Sequence, residues 1–365
     1  MQKLKLSMIN CKMTTAHFKM NSKGVALILV LLVLLLLMVV VLEFSFAMRV
    51  EVKAARNFND EINCYFYAQT GFQRAVAELI KHLTFRTAEG EEETLWRDDQ
   101  RRIQMPMTQG KVEVIISNER GKYDLNTIPD DLLRNLISTL GVGGELKRDI
   151  ITDSILDWRD DDNFHRINGA EDDYYESLPN PYSCKDRAFE TVEELLLVRG
   201  VTPQIFYGSY MTGDDEEDAL PLQKGLVDIV TVYSRSTRVD VNSAPKEVLL
   251  SIPGLSEDVV EKIIEARSEE PIKNLNDIRV AVGDAAYMQA FKYLSFSPSW
   301  IYSIIATGTI PESGVKRRIK GVVRMNLRAE DKFQIVYWAD NYPIPENIVP
   351  VSRNLWEKGD EEKLS

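Results

Sequence analysis

Apolar side chains dominate the start of the chain. Val25 to Leu42 form an uninterrupted apolar run of 18 residues, which as a helix spans roughly 27 Å, enough to cross the hydrocarbon core of a membrane. Beyond Arg49, apolar positions recur at spacings of three and four as far as Leu83, so one helix is predicted from Val25 to Leu83. Its stripe mixes aromatic and small residues without sustained heptads, which favours packing on a sheet or on sister helices over a coiled-coil stalk.

The residues before the apolar run are basic. Five lysines and no acidic residue precede Gly24, which by the positive-inside rule places the N-terminus in the cytoplasm and the rest of the chain across the membrane. A cleavable secretory signal peptide is disfavoured, because Ala47 is the only small residue of the right kind near the end of the run. A simple signal anchor explains the hydropathy by itself.

Alternating patterns predict strands at both ends of the remaining chain. Lys111–Ser117 alternates as a strand does, and turn residues lead from it to Tyr123–Leu125, so a β-hairpin is predicted there. Three further strands are predicted at Tyr302–Ile310, Arg318–Leu327 and Phe333–Trp338. Since these strands enclose a helical middle, the order predicts a sheet beside the long helix, interrupted by a large inserted domain.

The helical middle repeats one phrase. Tyr123–Pro129 and Val239–Pro245 are each followed by two helical stretches joined at glycine. In each phrase the Asn-Thr or Asn-Ser pair is expected to cap the first helix, and proline to occupy its first turn. Such units resemble helix-hairpin-helix modules, which hold DNA phosphates on hairpin amides, but here Glu145 and Glu257 stand beside the hairpins and oppose phosphate binding.

Acidic residues concentrate between the two repeats. Seven acids fall within Asp157–Asp173, and the whole chain has a formal charge of −12, which opposes association with nucleic acid or anionic lipid. Carboxylate oxygens on an irregular loop suit Ca²⁺, and aromatic neighbours such as Trp158 favour a packed loop over a solvated acidic one. The candidate calcium ligands are Asp160, Asp162, Glu171, Asp172 and Asp173.

Other chemistry has little support in the sequence. A two-carboxylate glycosidase is the remaining enzymatic interpretation, but no nucleophile elbow, Ser-His-Asp arrangement or Cys-x-x-Cys motif accompanies the acids. His165 is expected to be a surface residue. Cys64 and Cys184 form either a disulfide or two buried thiols, and the sequence leaves both open.

The segment Lys23–Leu27, with glycine directly before an apolar helix, resembles the processing site of type IV pilin-like proteins. In that family a membrane peptidase cuts after the glycine and the new N-terminus is methylated, which makes Gly24 and Val25 the expected processing pair. Most members carry glutamate at the fifth mature position, where this chain has Leu29. In the family that glutamate neutralises the terminal amine of the subunit above, because an unpartnered charge in lipid is costly. The resemblance then implies that a subunit with leucine there has no neighbour above it and lies at the tip, not in the repeating shaft.

Further motifs extend the resemblance to the minor pseudopilin K family of type II secretion systems. They are Asp157–Asp162, Gly169–Tyr175, Leu195–Val201 and Val241–Pro245. The resemblance implies a non-catalytic protein with a pilin fold, calcium in its soluble domain, a single-pass anchor in the bacterial inner membrane and a periplasmic soluble domain. The implied partners are minor pseudopilins I and J, other pseudopilins, prepilin peptidase and the inner-membrane secretion platform.

The predicted fold class is α+β. A long N-terminal transmembrane helix packs on a small antiparallel sheet, and the insertion holds two SAM-like or helix-hairpin-helix-like modules. The predicted boundaries are a leader at 1–24, the helix at 25–85, the first part of the sheet at 86–125, the inserted domain at 126–295, closing strands at 296–345 and a tail at 346–365. The predicted function is to form or cap the tip of a periplasmic pseudopilus; the alternative is a membrane-anchored nucleic-acid-binding protein.

Overall fold

The computed structural model of the chain describes residues 22–85, 99–209, 223–296 and 299–343. Most of the predicted leader and the whole predicted tail, 346–365, lie outside the described residues. The chain divides into two compact units, and the boundary along the sequence falls between Asn59 and Asp60. The first unit holds the N-terminal part of the long helix, and the second holds all the other described elements.

The helices of the described residues include one very long helix followed by shorter ones. In chain order they are α1 (Ser22–Phe85), α2 (Asp130–Thr139), α3 (Glu145–Arg159), α4 (Asp172–Tyr175), α5 (Pro203–Tyr207), α6 (Leu226–Ile229), α7 (Lys246–Leu250), α8 (Glu257–Glu269), α9 (Leu275–Val282) and α10 (Asp284–Ala290). Short 3-10 turns occur at Glu119–Gly121, Val192–Leu197 and Phe291–Tyr293. The predicted long helix is therefore confirmed.

The strands differ greatly in length. In chain order they are β1 (Asp99–Pro106), β2 (Lys111–Asn118), β3 (Tyr123–Asp124), β4 (Gly208–Ser209), β5 (Gln223–Lys224), β6 (Val230–Thr231), β7 (Val239–Asp240), β8 (Leu294–Ser295), β9 (Ile301–Ile310), β10 (Val315–Met325) and β11 (Phe333–Ala339). The five long strands form one antiparallel sheet in the order β1-β2-β9-β10-β11. Because β1 and β2 precede the helical region and β9 to β11 follow it, the α+β fold with an insertion is confirmed.

The second half of α1 packs on this sheet. The buried helix residues are Ala68, Phe72, Ala75, Val76 and Leu79, and they share one core with inner-face residues of β2, β9 and β10. Gly308 of β9 allows a close approach, since a Cβ at this position would overlap the carbonyl oxygen of Cys64 on the helix. The mixed stripe of small and aromatic residues thus marks a helix laid against a sheet, as predicted.

The repeated phrase folds in the same way twice. Each copy begins with a two-residue parallel bridge, β3 with β6 and β7 with β8. The Asn126 amide exchanges two hydrogen bonds with the backbone of Phe189, at 3.0 and 2.7 Å. Asn242 makes the same pair with Ile272, at 2.9 and 2.8 Å. The two copies of the phrase therefore share one local hydrogen-bond pattern.

In each copy, one arginine on the second helix donates hydrogen bonds to the phrase that begins the copy. Arg159, at the end of α3, donates to the carbonyl oxygens of Leu125 and Ile128 at 2.5 and 3.0 Å. In the second copy Arg267 of α8 donates to the carbonyl oxygens at the equivalent positions, 241 and 244, at 2.7 and 2.8 Å. Glycines with positive φ join the two helices of each copy, Gly141, Gly143 and Gly144 in the first and Gly254 in the second.

Three local features differ from the predictions. β2 pairs with β1 and β9, so the predicted hairpin between Lys111–Ser117 and Tyr123–Leu125 is wrong. β1 has no counterpart among the predicted strands, because its sequence DQRRIQMP lacks apolar alternation. The N-cap positions of α2 and α7 are taken by Pro129 and Pro245, since the asparagines expected to cap these helices bind backbone groups elsewhere.

Candidate metal centre

The acidic segment is anchored at both ends by aromatic packing. Trp158, at the end of α3, meets Tyr175 of α4 edge-on with ring centroids 5.2 Å apart. Tyr175 in turn lies 5.3 Å from Tyr182, and both Trp158 and Tyr175 are buried. The ends of the loop are therefore fixed in the core of the inserted domain, as the aromatic neighbours predicted.

Arg166 folds back to neutralise the inner side of the loop. Its Nη1 lies 2.6 Å from Asp157 Oδ1 and 2.6 Å from Asp160 Oδ2, and its backbone N–H also donates to Asp157. Burial raises the pKa of Asp157 in spite of these bonds. Gly169 passes directly against the same carboxylate, where a Cβ would collide with Oδ2, so the loop needs glycine there.

Glu171 lies at the centre of the remaining carboxylates. Glu171 is 1% exposed, and within the described part of the chain neither of its carboxylate oxygens has a hydrogen-bond partner. Oxygens of Asp160, Asp162 and Glu171 lie within 4.8 Å of one another, and Glu171 forms a second such group with Cys184 and Asp186. One oxygen each of Asp160 and Asp186 is also buried without a hydrogen-bond partner.

The electrostatics of this cluster leave negative charge uncompensated. Burial, reinforced by the carboxylates of Asp157, Asp186 and Asp160, raises the pKa of Glu171 to about 7. Burial and the neighbouring carboxylates also raise the pKa of the Cys184 thiol, and sulfur is a soft ligand that hard divalent cations do not prefer. A buried carboxylate without a donor is costly unless a cation or a proton neutralises it.

The donor set fits a hard divalent cation. Asp160, Asp162 and Glu171 offer carboxylate oxygens from two parts of one loop, and Asp186 approaches Glu171 from a later loop. Calcium takes six to eight oxygen ligands at about 2.3–2.6 Å, including backbone carbonyls and water, in flexible geometries. Carboxylates would hold such an ion here, while Arg166 and the aromatic residues position the loop around it.

The five predicted ligands have different places in the structure. Asp160, Asp162 and Glu171 come together. Asp172 instead accepts a hydrogen bond from the Cys184 backbone N–H at 2.7 Å, and Asp173 is exposed and accepts one from its neighbour Tyr174 at 2.9 Å. Asp186 was missed by sequence reasoning, because it follows the acidic segment by more than ten residues and no spacing motif links it to Glu171.

The predicted processing pair lies at the start of α1. Gly24 and Val25 are helical, and the residues before Ser22 lie outside the described part of the chain. By length and composition alone α1 is able to cross a membrane, since it contains an apolar 18-residue window with a mean hydropathy of 3.4. Cys64 and Cys184, which the sequence left open, are both buried free thiols.

The fold and the site define a class of protein, one with a pilin-like fold: an apolar N-terminal helix, a five-stranded antiparallel sheet and an acidic, mainly helical insertion. Residues 116–207 match the family model described as Type II secretion system (T2SS), protein K. The matched segment runs from β2 to the end of α5 and includes the first repeat and the acidic loop.

Two curated relatives carry the same description. Type II secretion system protein K of Pectobacterium carotovorum subsp. carotovorum is 29% identical over 119 residues, which cover 28% of this chain and 36% of that protein. Type II secretion system protein K of Pseudomonas aeruginosa is 25% identical over 201 residues, covering 50% of this chain and 55% of that protein. The match thus spans about a third of the first relative's length and about half of the second's.

A solved structure shares the fold. It is the crystal structure of the GspK-GspI-GspJ complex from the enterotoxigenic Escherichia coli type 2 secretion system, with a TM-score of 0.56 and 14% sequence identity, and the match covers 80% of this chain and 100% of that chain. Together with the family model and the two relatives, this similarity confirms the resemblance to type II secretion system protein K.

Proposed function

We propose that this chain is a minor pseudopilin of a type II secretion system, where it forms or caps the tip of the periplasmic pseudopilus and helps to initiate its assembly. The observation that carries the proposal is the fold shared with a chain of the GspK-GspI-GspJ complex over 80% of this chain. Its partners are then minor pseudopilins I and J, other pseudopilins, prepilin peptidase and the inner-membrane secretion platform. The role is mechanical and requires no catalytic group.

The apolar start of α1 supports an inner-membrane anchor with a periplasmic soluble domain. Lysines precede the apolar run without any acidic residue, which favours a cytoplasmic N-terminus. Processing after Gly24 with methylation of Val25 follows from the resemblance to pilin-like proteins. Leu29 supports the tip position, because an apolar residue there has no charge to offer to the amine of a subunit above it.

Calcium binding at Asp160, Asp162 and Glu171 is part of the proposal. The buried oxygens of Glu171, which lack a hydrogen-bond partner among the described residues, support it, because a divalent cation would satisfy that carboxylate. The ion would stabilise the loop that joins the two repeats. Nucleic acid is not a proposed partner, since α3 and α8 begin with Glu145, Glu257 and Asp258 at the hairpins.

Co-assembly tests this function. The full chain is co-expressed with minor pseudopilins I and J, extracted in detergent and separated by size-exclusion chromatography. We expect the three proteins to elute as one complex with equal stoichiometry, while omission of either partner gives an incomplete one. Elution of this chain apart from both partners contradicts the proposed role. Salt-dependent binding of the purified protein to duplex DNA would instead favour the nucleic-acid alternative.

A further inference from the structure

The loop from Asp160 to Gly169 presents two large apolar side chains to solvent. Phe164 is 83% exposed and Ile167 is 96% exposed. A single exposed apolar side chain is ordinary, but two of them three residues apart on one loop form a small apolar surface. Their exposure is not the result of a loosely held loop, because the residues around them are bonded to the core.

The two neighbours of Ile167 in the chain, Arg166 and Asn168, point inward. Arg166 binds Asp157 and Asp160 at 2.6 Å each, and Asn168 Nδ2 donates to Asp153 Oδ2 at 3.1 Å. Since Arg166 and Asn168 flank Ile167, their anchors hold the Ile167 side chain outward. The backbone N–H of Phe164 donates to Asp162 Oδ1 at 2.9 Å, and this bond restrains the loop next to Phe164. A partner that docks here loses little loop entropy.

Carboxylates surround this apolar surface. A shallow recess beside Phe164 is lined by Asn163, His165 and Asp173, and Asp161, Asp162 and Asp173 are exposed. Between Asp160 and Glu176 the chain carries seven acids and one arginine, and that arginine is used inside the loop. The surface therefore has an apolar centre and an anionic border.

We propose that Phe164 and Ile167 form the centre of a docking surface for a protein partner whose contact face has an apolar recess bordered by lysine or arginine side chains. Charge complementarity argues for this occupant, because a basic border pairs with Asp161 and Asp173 and steers the encounter. An anionic bilayer is repelled by the same carboxylates. A second copy meeting this loop with its own would bring like charges together. The proposal does not depend on the secretion role.

Site-specific photocrosslinking in the native host tests the docking surface. The photoreactive p-benzoylphenylalanine replaces Phe164 or Ile167 in the full-length chain, and Val280 of α9, which is 78% exposed, serves as the matched control. We expect crosslink yields at 164 and 167 about tenfold above the control, because both positions would lie at the centre of the contact. Mass spectrometry should locate the crosslink on a protein segment rich in lysine or arginine. A yield equal to the control, a phospholipid adduct or a crosslink to another copy overturns the proposal.

The acidic border is tested separately. Asp161→Lys combined with Asp173→Lys is expected to lower the crosslink yield at 164 by about threefold, in keeping with exposed charge pairs. Glu312→Lys, at an exposed acid between β9 and β10, is expected to leave it unchanged. If the lysine variant loses its thermal transition, Asp161→Asn with Asp173→Asn replaces it and is expected to act in the same direction. If a folded variant gives an unchanged crosslink yield, the partner's contact face does not have the proposed border of lysine or arginine side chains.

Discussion

Glu171 determines the energetics of the candidate metal centre. Its carboxylate is buried and its oxygens lack a hydrogen-bond donor among the described residues, so a cation bound there would stabilise the folded protein relative to the unfolded chain. An ion at a hundredfold excess over its dissociation constant adds about 2.7 kcal/mol of stability. We predict that calcium raises the melting temperature of the purified protein, and that Glu171→Gln abolishes this increase, as scanning calorimetry with and without calcium measures.

Asp161 provides the control for that prediction. It lies on the same loop but is exposed and is not part of the cluster formed by Asp160, Asp162 and Glu171. Asp161→Asn should therefore keep the full calcium-dependent increase in melting temperature. A full increase in Glu171→Gln as well would show that calcium binds elsewhere and would remove the proposed ligand set.

Glu119 shows the opposite electrostatic situation, a buried carboxylate that is well paired. Lys122 Nζ lies 2.7 Å from its Oε1, with side chains 7% and 2% exposed, and Thr231 Oγ1 donates to its other oxygen. Burial alone would raise the pKa of Glu119, but Lys122, Thr231 and the charge of Lys320 outweigh it, so this pKa lies below its ordinary value. The carboxylate is therefore ionised in the folded protein at neutral pH.

A pH dependence of stability follows from that pairing. Because the pKa of Glu119 is lower in the folded than in the unfolded protein, its stabilisation is present above the unfolded value of about 4.5 and is lost as the pH falls through the folded value. Glu119→Gln leaves Lys122 buried without its counter-charge, which costs about 3 kcal/mol at pH 7.

Urea denaturation of both proteins from pH 7 down to about pH 3, which crosses the unfolded value of the Glu119 pKa, measures this dependence. The difference in free energy of unfolding between wild type and Glu119→Gln should narrow as the pH is lowered. Glu257→Gln, at an exposed pair with Lys246, should change stability little at any pH, because exposed ion pairs contribute little. A Glu119→Gln deficit that stays constant with pH would contradict the paired, ionised carboxylate.

At the scale of elements, the two repeats are closed by equivalent arginines. Arg159 and Arg267 each donate to two backbone carbonyls of the phrase that opens their copy. Hydrogen bonds from charged groups are worth about 1.5–3 kcal/mol. We predict that Arg159→Met and Arg267→Met each lower the free energy of unfolding by about 2 kcal/mol in chemical denaturation, whereas the exposed Arg238→Met changes it little.

Equality of the two losses is the informative result. If the copies are structurally equivalent, the two variants should lose similar amounts of stability despite the different sequences around them. If only one variant loses stability, the two arginines make equivalent hydrogen bonds but contribute unequally to the free energy of unfolding.

Much of the fold could be predicted from apolar spacing, because spacing reports which face of each element is buried. α1, the helices of both repeats and the three C-terminal strands form at the predicted places. Pairing partners could not be predicted in the same way. Asn126 binds the backbone of Phe189, 63 residues away, and β1 is a strand because β2 pairs with it, although its own side chains do not alternate.

The candidate metal centre was predictable in part for a related reason. Density of acidic residues identified the segment that contains Asp160, Asp162 and Glu171. It gave no information on Arg166, whose side chain neutralises Asp157, or on Asp186, which the chain brings to Glu171 from a later loop. Which carboxylates are free for a cation depends on these tertiary contacts.

At the scale of the whole molecule, the apolar start of α1 needs surroundings that shield it from water. Every side chain from Leu27 to Leu42 is at least 45% exposed, so in water this surface would have a large unfavourable hydration free energy. A membrane, or neighbouring apolar helices within it, removes that surface from water. If this chain is a pseudopilin, as proposed, the segment begins at a new N-terminus after cleavage behind Gly24.

Intact-mass spectrometry of the protein extracted from membranes after co-expression with prepilin peptidase measures whether this cleavage takes place. We expect a mass that lacks residues 1–24 and carries one methyl group on Val25, and we expect a Gly24→Leu variant to keep the full mass. An uncleaved wild-type chain in the presence of active peptidase, shown by cleavage of another pseudopilin in the same cells, would contradict it.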